Sequence, residues 1–196
     1  MRSSVLRFVQ RLFLGIGFAA LTYAGAAAVY AEIYQRYQSW KFEEKLDMAE
    51  FAKPGVIVVP EREGDPVGKL EIPRIGISVM VFEGVEPAIL RIAAGHIPGT
   101  PSPGAGGNTA IAAHRDTFFR KLQGIRSDDR IQMSTLRGTY EYTVHSTEIV
   151  DPQDTEVLES RGFPELTLIT CYPFYFVGSA PKRFIVHARP VNPVED

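Results

Sequence analysis

Between Arg11 and Glu32 the chain carries no charged residue, and no other feature limits its possible folds so sharply. Running through Leu12-Phe13-Leu14-Gly15-Ile16-Gly17-Phe18 to Tyr30-Ala31, the stretch would span about 30 Å at the helical rise of about 1.5 Å per residue, the thickness of a bilayer core. No polar face interrupts it, which disfavours a helix of a soluble fold. A transmembrane helix over residues 12–31 is therefore expected, after a short segment 1–11. Arg2, Arg7 and Arg11 precede the run with no acidic residue among them, whereas Glu32, Arg36, Lys41, Glu43, Glu44 and Lys45 follow it. The positive-inside rule then leaves the N-terminus in the cytoplasm and everything after Glu32 outside, a single pass through the cytoplasmic membrane. A cleavable signal peptide competes, because Ala27-Ala28-Val29-Tyr30-Ala31 offers the small residues a signal peptidase accepts. Retention is the expectation, since the run exceeds the about 7 to 15 residues of a signal h-region.

Beyond that segment about 150 residues remain, enough for one well-buried core. Setting aside Arg2, Arg7, Arg11 and Glu32 from the 21 Lys+Arg and 23 Asp+Glu leaves 18 against 22, a mildly acidic balance that argues against a nucleic-acid partner. Cys171 is the only cysteine, so no internal disulfide can form. In an oxidising exterior a free thiol persists only where it is sheltered or used.

Residues 32–66 read as an extracytoplasmic stalk and linker. Tyr34 to Ala52 is rich in charge and helix formers, with Trp40, Phe42, Leu46 and Phe51 interspersed, and Pro54-Gly55 closes it. From Val67 the pattern changes to short β-rich runs, expected at Val67 to Ile72, Ile75 to Phe82, Asn108 to Ala113, Arg130 to Ser134, Tyr140 to Val144, Thr147 to Val150, Leu166 to Thr170 and Arg183 to Ala188. Eight short strands predict an all-β domain with short helices, a closed barrel or a sandwich, over residues 67–190, with a tail at 191–196. Pro98 to Gly107 is too dense in Gly and Pro for a regular element. Pro87 is expected to open a short helix through Ala93, ended by Gly95.

Several strings mislead. His114-Arg115-Asp116 looks like a protein-kinase catalytic loop, but Lys121 stands where that loop needs an asparagine. The glycines from Gly104 to Gly107 lack the ending of a phosphate loop. His96, His114, His145 and His187 show no zinc spacing with a single thiol. Glu61, Glu63 and Asp65 read as solvated linker residues, so no calcium site is supported and no cofactor is expected.

Cys171 closes the apolar run Leu166-Thr167-Leu168-Ile169-Thr170, which reads as a buried strand delivering one thiol to a surface. Such a thiol is either a small core hydrophobe or a nucleophile, and the difference lies in whether a base and a cation can reach it. His114 follows the apolar strand Thr109-Ala110-Ile111-Ala112-Ala113, where a chain emerges from a core. Arg183 opens a strand after the loop Tyr172 to Lys182, so on adjacent strands its guanidinium would lie beside Cys171. Singly, these are a structural histidine and an ordinary surface ion-pair residue. If all three converge, they describe a cysteine transacylase that captures a carbonyl compound as a thioester.

Thr167-Leu168-Ile169-Thr170-Cys171 resembles the Thr-Leu-x-Thr-Cys signature of sortases, with Arg183 following on the next strand. Gly68-Lys69-Leu70-Glu71-Ile72-Pro73 looks like that family's first barrel strand, Asn108 to Phe119 like its histidine segment, and Cys171-Tyr172-Pro173-Phe174 with Ala180 to Val186 like the class D pattern. Two departures stand out. Ala113 precedes His114 where glycine is common, and Ser127-Asp128-Asp129-Arg130 replaces the usual Gly-Asp turn, which puts loop geometry rather than chemistry in question.

The resemblance implies an eight-stranded sortase-type β-barrel and a membrane-anchored transpeptidase of the cell envelope. His114, Cys171 and Arg183 would be its catalytic residues. Its substrates would be exported proteins bearing a C-terminal Leu-Pro-x-Thr-like sorting signal. The acyl group would pass to an amine acceptor such as a peptidoglycan precursor or a pilin lysine. Thr170 would support the oxyanion, while Ile169, Ala112, Tyr172 and the loop aromatics Phe174, Tyr175 and Phe176 would line an apolar groove, core packing being the plainer role for the aromatics. Two other readings stay open at this point. One is an extracytoplasmic cysteine hydrolase or peptidoglycan transpeptidase on another barrel, although the Ser-His-Gly-Cys string expected there is missing. The other is a non-catalytic tethered binding or scaffold barrel with Cys171 merely buried.

Overall fold

The alternation of apolar and polar residues from Pro66 onward builds a sheet that curls until its edges meet. In the computed structural model, which describes residues 2–51 and 62–191, strands β1 (Pro66–Ile72), β2 (Ile77–Glu83), β3 (Ala94–His96), β4 (Asn108–Ala112), β5 (Arg130–Thr135), β6 (Gly138–Val150), β7 (Glu165–Tyr172) and β8 (Lys182–Pro190) are hydrogen-bonded in the order β1-β2-β3-β4-β7-β8-β6-β5. β5 pairs with β1 to close the barrel, which removes the exposed sheet edges that would otherwise invite association. The contacts β2·β3 and β4·β7 are parallel and the others antiparallel.

Alternate residues point inward. Leu70 and Ile72 of β1, Val79 and Val81 of β2, Ile131 and Met133 of β5, Leu166 and Leu168 of β7, and Val186 and Ala188 of β8 fill the barrel. Phe119 and Leu122, which follow β4 in a 3-10 turn region, are fully buried against the same core.

Two strand expectations are corrected. The runs Tyr140 to Val144 and Thr147 to Val150 form a single strand, β6, whose register against β8 shifts between Val144 and Ser146. A bulge of this kind inserts one residue without ending the strand, so the break in alternation at His145 is a kink rather than a turn. Ala94–His96, expected as the end of a helix, is a strand; the helix there, α2, covers only Pro87–Leu90. Gly95 serves close packing rather than helix termination, because a Cβ on it would stand 2.1 Å from the Gly84 carbonyl oxygen. The second expected strand starts two residues late, since Pro73–Ile75 forms a 3-10 turn closed by Gly76 in the left-handed conformation.

The departures noted near His114 and Asp128 have simple outcomes. Ala113 is buried in the core and the backbone there needs no glycine, whereas Asp128 is left-handed at φ 69°, a conformation aspartate tolerates better than most residues. Its neighbour Asp129 is buried and accepts hydrogen bonds from the Arg126 amide at 2.8 Å and from Nε and Nη2 of Arg74.

N-terminal to the barrel, one helix, α1 (Arg2–Phe51), runs through the uncharged segment and on into the expected stalk as far as Phe51. Phe42 is buried with Met80, Phe82, Ile89 and Ala93, and Tyr34 packs beside them. The Gln35 side chain accepts from the Met80 amide at 2.9 Å and donates to the Ile92 carbonyl, and Glu43 pairs with Lys69 at 2.8 Å. α1 thus docks on β1 and β2. Pro54-Gly55, Glu61 and the tail 192–196 lie outside the described residues.

Two outcomes test this packing. Leu70→Ala empties a fully buried site and is expected to lower unfolding free energy by about 2 to 5 kcal/mol in a denaturant titration. The Arg74 hydrogen bond holds the Asp129 carboxyl below its ordinary 3.8, against the opposing effect of burial. That stabilisation is fully present above the unfolded value and lost as pH falls through the lower folded value. In Arg74→Ala the folded value rises, so the acid-unfolding midpoint followed by circular dichroism should move to higher pH.

Candidate active site

β7 supplies the centre of the site. With Leu166 and Leu168 facing the core, Thr167, Ile169 and Cys171 fall on the outer face of the barrel. β4 runs parallel beside it with Ala112 opposite Ile169. One further main-chain bond joins them, from the Ala113 amide to the Ile169 carbonyl at 3.2 Å, and Thr170 Oγ1 donates to the Ala113 carbonyl at 2.7 Å. The next residue, His114, therefore leaves β4 level with Cys171. On the other flank β8 runs antiparallel with Arg183 directly opposite Cys171, and directly opposed residues share a face.

The thiol thus sits on the strand between the one that ends toward His114 and the one that begins at Lys182 and carries Arg183, adjacent strands being about 4.8 Å apart. Cys171 and Arg183 are half-buried and His114 is exposed. Arg183 Nη1 donates to the Lys182 carbonyl at 3.1 Å, and Lys182 pairs with Asp151 at 2.8 Å.

The other expected residues separate into two groups. Ala112 and Ile169 are half-buried cross-strand neighbours on the face that carries Cys171, with Ile185 opposite Ile169 on β8, so together they form an apolar floor. Thr170 is buried and its one hydroxyl proton is committed to the Ala113 carbonyl, where it secures the backbone just before His114. Tyr172 alternates to the other face. Its ring stacks on Phe184 at 6.3 Å and meets Phe174 edge-on at 6.0 Å, and Phe174 and Phe184 pack against the core. Those three rings cap the end of the barrel. Tyr175 and Phe176 stand farther out in the loop, 70% and 44% exposed.

Two features escaped the sequence. Arg115 Nη1 donates to the Pro173 carbonyl, and its Nη2 to the carbonyls of Phe176 and Gly178. Farther along the face that carries Cys171, a polar chain runs from Glu148 to His187 at 2.7 Å, to Glu165 at 3.5 Å and to His145 at 3.2 Å, with His187 and Glu165 almost wholly buried. Neither shows a spacing signal, because the partners come from different strands and loops. Among the described residues no group of three or more His, Cys, Asp or Glu is placed to hold a metal ion.

Comparison with known proteins agrees with this architecture. Residues 70–191 match the Sortase domain family. Sortase D of Bacillus subtilis is 35% identical over 130 residues, 66% of this chain and 66% of that protein. Sortase A of Listeria monocytogenes is 30% identical over 109 residues, 54% of this chain and 49% of that one. These matches thus span less than two thirds of either relative's length. Among solved structures, the Clostridium perfringens Sortase D5 transpeptidase superposes with a TM-score of 0.65 at 24% identity, over 82% of this chain and 98% of that one. Sortase C1 from Streptococcus suis gives 0.61 at 27% identity, over 66% and 74%. With the family match covering most of the barrel and Sortase D among its similar relatives, the chain belongs to the sortase family and is class D-like.

Proposed function

We propose that this chain is a membrane-anchored cysteine transpeptidase that cleaves a Leu-Pro-x-Thr-like sorting signal of exported proteins and transfers the acyl group to an amine of the cell envelope or of a pilin. The observation that carries the reading is the strand order β4-β7-β8, in which the segments bearing His114 and Arg183 flank Cys171.

The chemistry follows from the groups. A free thiol near its ordinary pKa of about 8.5 is mostly protonated at neutral pH, so attack needs a stabilised thiolate or a base. His114 is the proton partner. The Cys171 sulfur forms a bond to the scissile carbonyl carbon, and the electron pair displaced onto oxygen is held by the guanidinium of Arg183. When the tetrahedral species collapses, the carbon–nitrogen bond breaks and imidazolium at His114 protonates the departing amine, leaving a thioester on Cys171. An incoming amine then attacks the thioester carbon and gives a proton to the imidazole, the carbon–sulfur bond breaks, and the sulfur departs as thiolate beside the imidazolium. The floor of Ala112 and Ile169 suits an extended apolar segment approaching the thiol.

Anchoring rests on α1, which is long and apolar enough over Leu6–Glu44 to cross a bilayer. The arginines before residue 12 favour an N-terminus in the cytoplasm and a catalytic domain outside, reached by a single pass.

Cys171→Ala is expected to abolish cleavage of a Leu-Pro-x-Thr-type peptide, and full activity in that variant ends the proposal. In the unmodified chain Cys171 should react with iodoacetamide at a rate that depends on pH and on His114, whereas a structural thiol would stay silent until unfolding. Arg183→Ala should lower kcat by about 100- to 1,000-fold with the circular dichroism spectrum unchanged.

A further inference from the structure

The main-chain ladder between β4 and β7 ends at the Ala113 amide, one residue short of His114. Past that point β4 gives way to a loop, while β7 keeps its pairing with β8 as far as Tyr172 and only then enters a loop of its own. His114 lies on one and the Pro173 to Pro181 segment follows Cys171 on the other, so the ladder alone leaves the imidazole without a fixed place beside the thiol. Arg115 bridges the gap. Its Nη1 donates to the Pro173 carbonyl at 2.9 Å, its Nη2 to the carbonyls of Phe176 at 2.7 Å and Gly178 at 3.0 Å, and its guanidinium carbon lies 5.9 Å from the centre of the Phe176 ring. Within the loop itself the main-chain bond is Phe176 amide to Pro173 carbonyl, at 3.3 Å. The tip beyond it is open to solvent, Val177 being 96% exposed. Arg120, placed over the Tyr175 ring at 5.6 Å, touches the loop through an aromatic face only.

On the reading of Cys171 as nucleophile, we propose that Arg115 is a positioning residue: by gathering three carbonyls of the loop that follows the thiol, it locks its chain neighbour His114 into place beside Cys171. The task needs a planar fork of donors that reaches acceptors from two nitrogens at once, which guanidinium provides and a single ammonium does not. It also leaves the loop as a fixed wall beside the apolar floor rather than a mobile strap.

The test is a double-mutant cycle on the full chain in detergent micelles, read by the rate of Cys171 alkylation by iodoacetamide across pH and by kcat and KM on the peptide. Arg115→Ala and Arg115→Lys should both slow alkylation at neutral pH by about ten-fold or more, the scale of a small misplacement of a reacting group, and lower kcat more than they raise KM. In a His114→Ala background the same changes at Arg115 should have less than about a two-fold effect, since a residue acting through His114 has nothing left to act on. Equal fold-changes in both backgrounds would show that Arg115 acts independently of His114 and would overturn the proposal, as would full rescue by Arg115→Lys. Arg115→Lys keeps the charge and supplies the measurement where the alanine variant does not fold. A Cys171 that is unreactive in the unmodified chain refutes the nucleophile itself, and the positioning role with it; a reactive Cys171 unaffected by Arg115 refutes only the positioning role.

Discussion

The parallel pairing of β4 with β7 is the constraint on which the rest of the site depends. Its register is fixed from inside, because Ile111 opposes Leu168 and both belong to the core. A slip of one residue would turn these side chains outward and expose apolar surface worth several kcal/mol in all. The same register carries Ala112 to Ile169 and then His114 to the level of Cys171. A packing requirement inside the barrel therefore fixes the level at which the chain bearing His114 leaves the sheet, and the antiparallel pairing of β7 with β8 sets Arg183 opposite Cys171.

The long helix and the site use different walls of the barrel. α1 lies on β1 and β2, whereas Cys171 is on β7, and in the ring order β2 and β8 stand across from one another. The helix is held there by a buried phenylalanine, Phe42, and by Gln35, whose amide meets one main-chain donor and one main-chain acceptor. A buried aromatic gives such a contact its strength and the paired amide gives it its register. The wall that carries the thiol is thereby left clear of the helix.

Beyond the thiol the outer face changes character. The Glu148, His187, Glu165 and His145 chain lies there, beside Thr167, whose hydroxyl donates to Asn108 Oδ1 at 2.7 Å. Asn108 in turn donates to the carbonyls of Val157 and Glu159, which fastens the segment between β6 and β7 onto the sheet. Buried polar groups are tolerated when they are hydrogen-bonded, and the bonds of Asn108 and Thr167 replace apolar packing as the means of seating a long connection.

The sequence by itself determined the elements whose signal is local. The uncharged run before Glu32 announced a long apolar helix, and α1 runs through it. The alternation around Leu70, Met133 and Leu168 dictated strands, and the Thr-Leu-x-Thr-Cys string with Arg183 pointed to the family. Only tertiary structure decided the rest. Whether His145 ended a strand or kinked one depended on the partner strand β8, and whether Gly95 capped a helix or admitted the Gly84 carbonyl depended on a neighbour distant in the chain. Tyr172 and Ile169 looked alike as groove residues until the pleat sent them to opposite faces, and Thr170 looked free until the Ala113 carbonyl took its proton. Arg115 was hidden beside a histidine because its acceptors are main-chain carbonyls, which every residue has and no sequence pattern can single out.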